Sequence, residues 1–136
     1  MLTWVRFTDR QDGRALFVLN THLDHESDEA RERSARLILD VVDAEATGLP
    51  VVVTGDFNDV PGSVAHRTLT ARLTDAFDGS PDQSIPTFHG YGTHEPCEVI
   101  DWVLTRDCYV SDAHLVLPPE PGRFASDHHP LSVTIG

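Results

Sequence analysis

Apolar and polar positions alternate along the first 22 residues in two short bursts. Met1 to Phe7 is one burst and "RALFVLNTH", Arg14 to His22, is the other, with the turn-forming "TDRQDG" between them. Two runs of strand character around such a turn predict a hairpin. From Ser27 to about Ala46 the period lengthens. Ala30, Ser34, Leu37, Ile38, Val41 and Val42 recur at helical spacing with charges between them. Ser27 reads as the N-cap, Asp28 and Glu29 suit the first turn, and Gly48 with Pro50 stops the helix. Pro50 to Thr54 is then apolar on both faces, as expected of a buried central strand.

Beyond "GDFND", Gly55 to Asp59, Pro61 and Ser63 can open a short helix through Leu73. Asp78 to Gly92 is rich in Gly, Pro and Ser and predicts a long surface loop. "VIDWVLT" and "YVSDAHLVL" read as successive strands, "PPEPGRFASDHH" as a loop and "PLSVTI" as a last strand. Many strands with one long and one short helix predict an α/β or α+β fold, a sheet covered by helices. The 136 residues fit one domain, 1–136, without repeats or a linker.

Composition narrows the partners. The net charge is −12, with 22 acidic residues against 10 basic ones and no basic cluster. Duplex DNA is held largely through Lys and Arg, so the balance leans toward a small phosphorylated or lipid-derived partner over a nucleic acid. A divalent metal in an acidic cleft can still recruit phosphate by inverting the local charge. No apolar run is long enough to span a membrane, and the first eight residues lack the features of a signal peptide, so a cytoplasmic location is expected. Cys97 and Cys108 match no metal-ligand spacing and read as thiols used in packing.

Four stretches place titratable residues at strand ends, where sites are built on a rigid sheet: "NTHLDH" (Asn20 to His25), "GDFND", "IDW" (Ile100 to Trp102) and "SDHHP" (Ser126 to Pro130). Taken singly, an Asp after a strand reads as a turn former, and a lone His as a structural or solvated side chain. Asp101 is harder to dismiss, because a carboxylate between Ile100 and Trp102 is costly unless a cation or donors meet it. Together the stretches supply what is needed to hold a divalent metal, activate water and neutralise a phosphate oxyanion.

In this order and spacing the four stretches, with "TFHGYG" (Thr87 to Gly92), make the chain resemble the endonuclease/exonuclease/phosphatase superfamily, metal-dependent phosphoesterases that include DNase I-like nucleases, deadenylases, sphingomyelinases and inositol polyphosphate phosphatases. The resemblance runs from about Trp4 to Ile135 but matches only the C-terminal half of the family fold, a four-layer α/β sandwich with a mixed or antiparallel sheet. It implies hydrolysis of a phosphodiester or phosphomonoester by water attack on phosphorus. His22 would contact the phosphate, Asp56 would polarise or deprotonate water, and Asn58 would donate to a non-bridging oxygen. Asp101 would hold the ring of His128, whose imidazolium neutralises developing charge. Asp127 would sit on the metal with Asp56, and Mg²⁺ is the expected ion, with Mn²⁺ as substitute. His89 could reach the substrate. Both Asp56 and the Asp101–His128 pair are candidates for the base, and Asp56 is preferred.

The family's N-terminal Asn and metal-anchoring Glu have no counterpart, neither Glu26 nor Glu29 is assigned their place, and Val99 stands where relatives carry a basic residue. A half-fold would leave one face of its sheet bare, so association is expected, as a homodimer or with a complementary half. Two rivals remain. "NTHLDH" differs at Asn20 from the H-x-H-x-D-H signature of metallo-β-lactamase-like hydrolases, which leaves the other stretches unexplained. Alternatively, the half-fold is a catalytically inactive binding or regulatory module.

Overall fold

The computed structural model describes residues 1–93, 98–120 and 122–136. Strands β1 (Leu2–Thr8) and β2 (Ala15–His22) form the expected hairpin, in register from Leu2 opposite Thr21 to Thr8 opposite Ala15. Helix α1 (Asp28–Glu45) carries the chain over the sheet so that β3 (Val51–Asp56) runs parallel to β2. The helix begins where the sequence places it: the Ser27 side chain accepts from the Ala30 N–H, and Asp28 and Glu29 face the positive end of the helix dipole. Helix α2 (Val64–Thr70), capped by Ser63, stops short of the expected Leu73. The next residues form a two-residue strand, β4 (Thr74–Asp75), which the sequence does not announce.

Strand β5 (Asp101–Arg106) completes a mixed five-stranded sheet of order β1-β2-β3-β5-β4, and β6 (Val110–Leu115) and β7 (Leu131–Ile135) pair in a separate two-stranded sheet. Helices α1 and α2 cover one face of the larger sheet. Phe17, Leu19, Val51, Val53, Trp102 and Leu104 meet Ile38, Val42, Phe57 and Leu69 there, nearly all fully buried. Each such side chain contributes about 1.5–3 kcal/mol by leaving water, which makes this layer the main source of stability. On the other face, the β6–β7 pair packs with Val52, Val103 and Phe77 in a smaller cluster. Val52 is thus only half-buried, whereas Val51 and Val53 are sealed.

That second cover stops short of β1 and β2. Val5 opposes Val18 and Phe7 opposes Leu16 on the uncovered face, with Val5 42% and Phe7 54% exposed. The bare face expected of a half-fold is therefore present. Cys108 is half-buried against the carbonyls of Val51 and Arg106, consistent with a packing thiol, while Cys97 lies outside the described residues. Among the described residues, no helix is long and apolar enough to cross a membrane.

Candidate active site

The ladder brings three of the four stretches together. His22 pairs with Asp56 across β2 and β3, and Asp56 with Asp101 across β3 and β5, so three titratable residues form one row across the sheet. By strand alternation the row shares a face with Val18 and Val52, the side away from the helices. Gly55 sets the spacing of this row. A Cβ built on it would lie 2.0 Å from the Thr21 carbonyl oxygen, so only glycine lets β3 approach β2 here.

His128, from the fourth stretch, leans over the row. Its Nδ1 lies 2.7 Å from Asp101 Oδ2 and its Nε2 3.9 Å from Asp56 Oδ2, which also faces His22 Nε2 at 3.5 Å. Ligand atoms of Asp56, Asp101 and His128 all lie within 4.8 Å of one another, a group able to hold a metal ion. Asp127 stands outside that group. Its side chain accepts from Ser126 Oγ at 3.3 Å, and its carbonyl accepts the N–H groups of His89 and Gly90.

Electrostatics at Asp56 and His128 follow from this packing. Burial, and then the charge of Asp101, push the Asp56 carboxyl above the usual carboxylate range, against the N–H of Asn58 and the two imidazoles. Burial alone would lower the His128 pKa, but the hydrogen bond and charge of Asp101 outweigh it, with help from Asp56 and Asp127, and hold the imidazolium to higher pH than an ordinary histidine. Two carboxylates facing one another across a strand pair form a donor set that a hard cation would relieve. In that chemical sense the residues fit a divalent metal.

Asn58 lies just past the end of β3. The strand ends at Asp56, the Asn58 N–H turns back to Asp56 Oδ1 at 2.9 Å, and Asn58 takes a left-handed conformation at φ 49°. Its side-chain amide donates to the Leu23 carbonyl at 3.1 Å, tying the "GDFND" turn to the "NTHLDH" stretch. Asn20 donates to Thr54 and so secures β2 against β3.

His89 is not a surface residue. It is 6% exposed, its ring lies 4.2 Å from those of both Phe124 and His129, and neither ring nitrogen has a hydrogen-bond partner among the described residues. It shares the wall of a cavity of about 200 Å³ with His128 and Phe124 but is not brought into the row. His66 is structural: Gly62 N–H donates to its Nδ1, which leaves Nε2–H to face Asp75 at 3.2 Å, and the ring meets Trp102 edge-on.

Sequence reasoning passes over Arg31. Only 8% exposed, it sits in the Ala35, Ile38, Val42 stripe of α1, pairs with Asp28 and Asp59, and donates to the Asp24 carbonyl. It therefore fixes the loops after β2 and β3 to one helix. The signal was available: a charge at a helical core position demands partners.

A family model described as "Endonuclease/Exonuclease/phosphatase family" matches residues 1–128. Among solved structures, an endonuclease/exonuclease/phosphatase from Bacteroides vulgatus is 31% identical with a TM-score of 0.88, over 99% of this chain and 54% of its own. A mannosyl-6-phosphatase from Bacteroides thetaiotaomicron is 22% identical with a TM-score of 0.77, over 99% of this chain and 56% of its own. The human Nocturnin catalytic domain, with bound sulfate, is 21% identical with a TM-score of 0.73, over 98% of this chain and 53% of its own. The last two show the shared fold alone. No curated protein matches the chain. The chain spans about half the length of these solved relatives, and its α+β architecture is that half of their DNase I-like fold. The match also displaces the metallo-β-lactamase reading, and Asn20 is engaged with Thr54. With the row of His22, Asp56 and Asp101 on the sheet and His128 above it, the chain belongs to the endonuclease/exonuclease/phosphatase family.

Proposed function

We propose that the chain carries the hydrolytic half of a metal-dependent phosphoesterase that directs water at the phosphorus of a phosphodiester or phosphomonoester. The supporting observation is the half-buried Asp56 carboxylate, faced by His22 and His128, with its pKa raised by burial and by the charge of Asp101. In this reading Asp56 takes the proton of the attacking water, a task suited to a carboxylate above its ordinary range. His22, largely exposed, meets the phosphate, and Asn58 donates to a non-bridging oxygen with the amide hydrogen not committed to Leu23. His128, kept cationic and oriented by Asp101, neutralises charge gathering on phosphorus. Asp56, with Asp101 facing it, would hold a Mg²⁺ or Mn²⁺ ion, which when bound supplies charge stabilisation to the phosphoryl oxygens; Asp127, expected from the family resemblance to share that task, stands outside the group with its carboxylate on Ser126. His89 would meet the substrate only from its buried place in the cavity beside His128.

The net charge of −12 favours a small or lipid-derived ester over a nucleic acid. One structural relative is a mannosyl-6-phosphatase, while another, from D. rerio, is complexed with single-strand DNA product. The expected result is Mg²⁺- or Mn²⁺-stimulated hydrolysis of p-nitrophenyl phosphate or its bis ester, with His128→Ala lowering kcat by about 10²–10⁴-fold. A folded, metal-supplied chain that turns over neither compound sinks this reading. The inactive binding module then takes its place, which the partial coverage of the relatives would favour.

The bare apolar strip of Val5, Phe7, Leu16 and Val18 supports association through that face, in the simplest form as a homodimer. Sedimentation equilibrium should give twice the monomer mass, and Phe7→Glu should halve it. A monomeric wild-type chain excludes the homodimer and leaves a complementary half as the cover.

A further inference from the structure

The geometry points to Thr87 as the residue that positions Asp101 and His128 relative to one another. Thr87 is 1% exposed. Its Oγ1 accepts two backbone N–H groups, from Ile100 at 3.0 Å and Asp101 at 3.1 Å, and lies 3.5 Å from the Glu98 carbonyl, to which it donates. Its own N–H also goes to Glu98, and its carbonyl accepts the His129 N–H at 2.7 Å. One buried residue thus holds the start of β5 on one side and the segment carrying His128 on the other.

This arrangement answers a gap in the sheet. Strand β4 pairs only with Leu104 and Thr105, so among the described residues no strand lies beside Ile100 and Asp101 at the outer edge where β5 begins. Without the hydroxyl the buried Ile100 N–H would lose its partner, at a cost of about 1–3 kcal/mol, and the part-buried Asp101 N–H would lose its own. A hydroxyl can accept two hydrogen bonds and donate one, and this one does all three. The Asp101–His128 contact of 2.7 Å spans two segments that Thr87 ties together, next to Phe88, which bridges Glu98 and His128. The role rests on the reading of Asp101 and His128 as a working pair, and Thr87 acts on the reaction only through them.

The test compares Thr87→Val, which keeps the shape and loses the hydroxyl, with Thr87→Ser, which keeps the hydroxyl. For hydrolysis of bis(p-nitrophenyl) phosphate, the Val variant should lose about 10–100-fold in kcat with KM little changed, and Ser should restore most of it. In an Asp101→Asn background the Val substitution should add little, since its effect passes through Asp101. The low-field proton NMR signal of the His128 Nδ1–H bonded to Asp101 should be displaced or lost in Val and kept in Ser. That signal needs no turnover, so it tests the positioning role even in a chain that hydrolyses nothing. Val133→Ala, in the second core cluster, serves as the control for simple destabilisation. Should Val unfold the chain, Thr87→Ala, which leaves room for a water, supplies the same comparison. A Val or Ala variant that keeps the NMR signal and loses no more activity than the Val133→Ala control overturns the proposal.

Discussion

Asp56→Asn should leave a folded chain whose hydrolysis of p-nitrophenyl esters is at least about 10³-fold slower than that of the unsubstituted chain. The amide keeps the shape of the carboxylate and can still accept the Asn58 N–H. It cannot take a proton from water, and it removes the charge that His22 and His128 face. In the metal-free chain, burial and the charge of Asp101 raise the Asp56 pKa above the ordinary carboxylate range. For an acid with a raised folded-state pKa, ionisation opposes folding, and stability declines as pH rises through the folded value. In metal-free buffer near neutral pH the Asn variant should therefore melt no lower than the parent. Activity within about tenfold of the parent would rule out Asp56 as the base and leave the Asp101–His128 pair.

Gly55→Ala should do the reverse, damaging the fold. The added Cβ would meet the Thr21 carbonyl oxygen at 2.0 Å, its carbon at 2.9 Å and Thr21 Cγ2 at 3.1 Å, and φ is +154°. Backbone cannot swing aside as a long side chain can. Thr21 is further held by its ladder partners and by its hydroxyl, which donates to the Met1 carbonyl. Relief requires β2 and β3 to part at the centre of the sheet. A loss on the order of 3–5 kcal/mol is expected, a large share of the 5–15 kcal/mol that holds a typical domain together. Gly13→Ala is the contrasting control: its φ is +75°, nothing lies within 4 Å of the added carbon, and only about 1 kcal/mol should be lost. Circular dichroism melts of the two variants separate the effects. Equal, small shifts in both would show that β2 and β3 can spread without cost.

How much of this was legible in the sequence depended on whether the signal was local. The hairpin, α1 with its Ser27 cap and the buried β3 follow from periodicity and turn chemistry, which are properties of neighbouring residues. Strand β4 is too short to have a period, and only pairing with β5 makes it a strand. Asp56 and Asn58 lie two apart, as alternation would want, but the chain has left the strand by Asn58, and the Asx turn at Asp56 decides its direction. Within the site, the 27-residue separation of Asp101 and His128 hid their contact from any local pattern, and only resemblance to a family joined them. His89 sits in a Gly-rich stretch that looks exposed, yet Phe124 and His129 enclose it from a segment far along the chain. Thr87 opens the "TFHGYG" stretch, yet its positioning role gave no signal, because it lies in contacts with backbone groups that composition cannot show.

Along β2 the open face reads Leu16, Val18, Asn20, His22, apolar at one end and polar at the other. At about 3.3 Å per residue, Val18 and His22 are only about 13 Å apart. Whatever shields the apolar end from water therefore comes to rest beside His22. On the proposed metal reading, shielding and ion capture would be linked equilibria: a cover that brings an oxygen ligand to the rim would tighten the ion, and the ion would tighten the cover by the same factor.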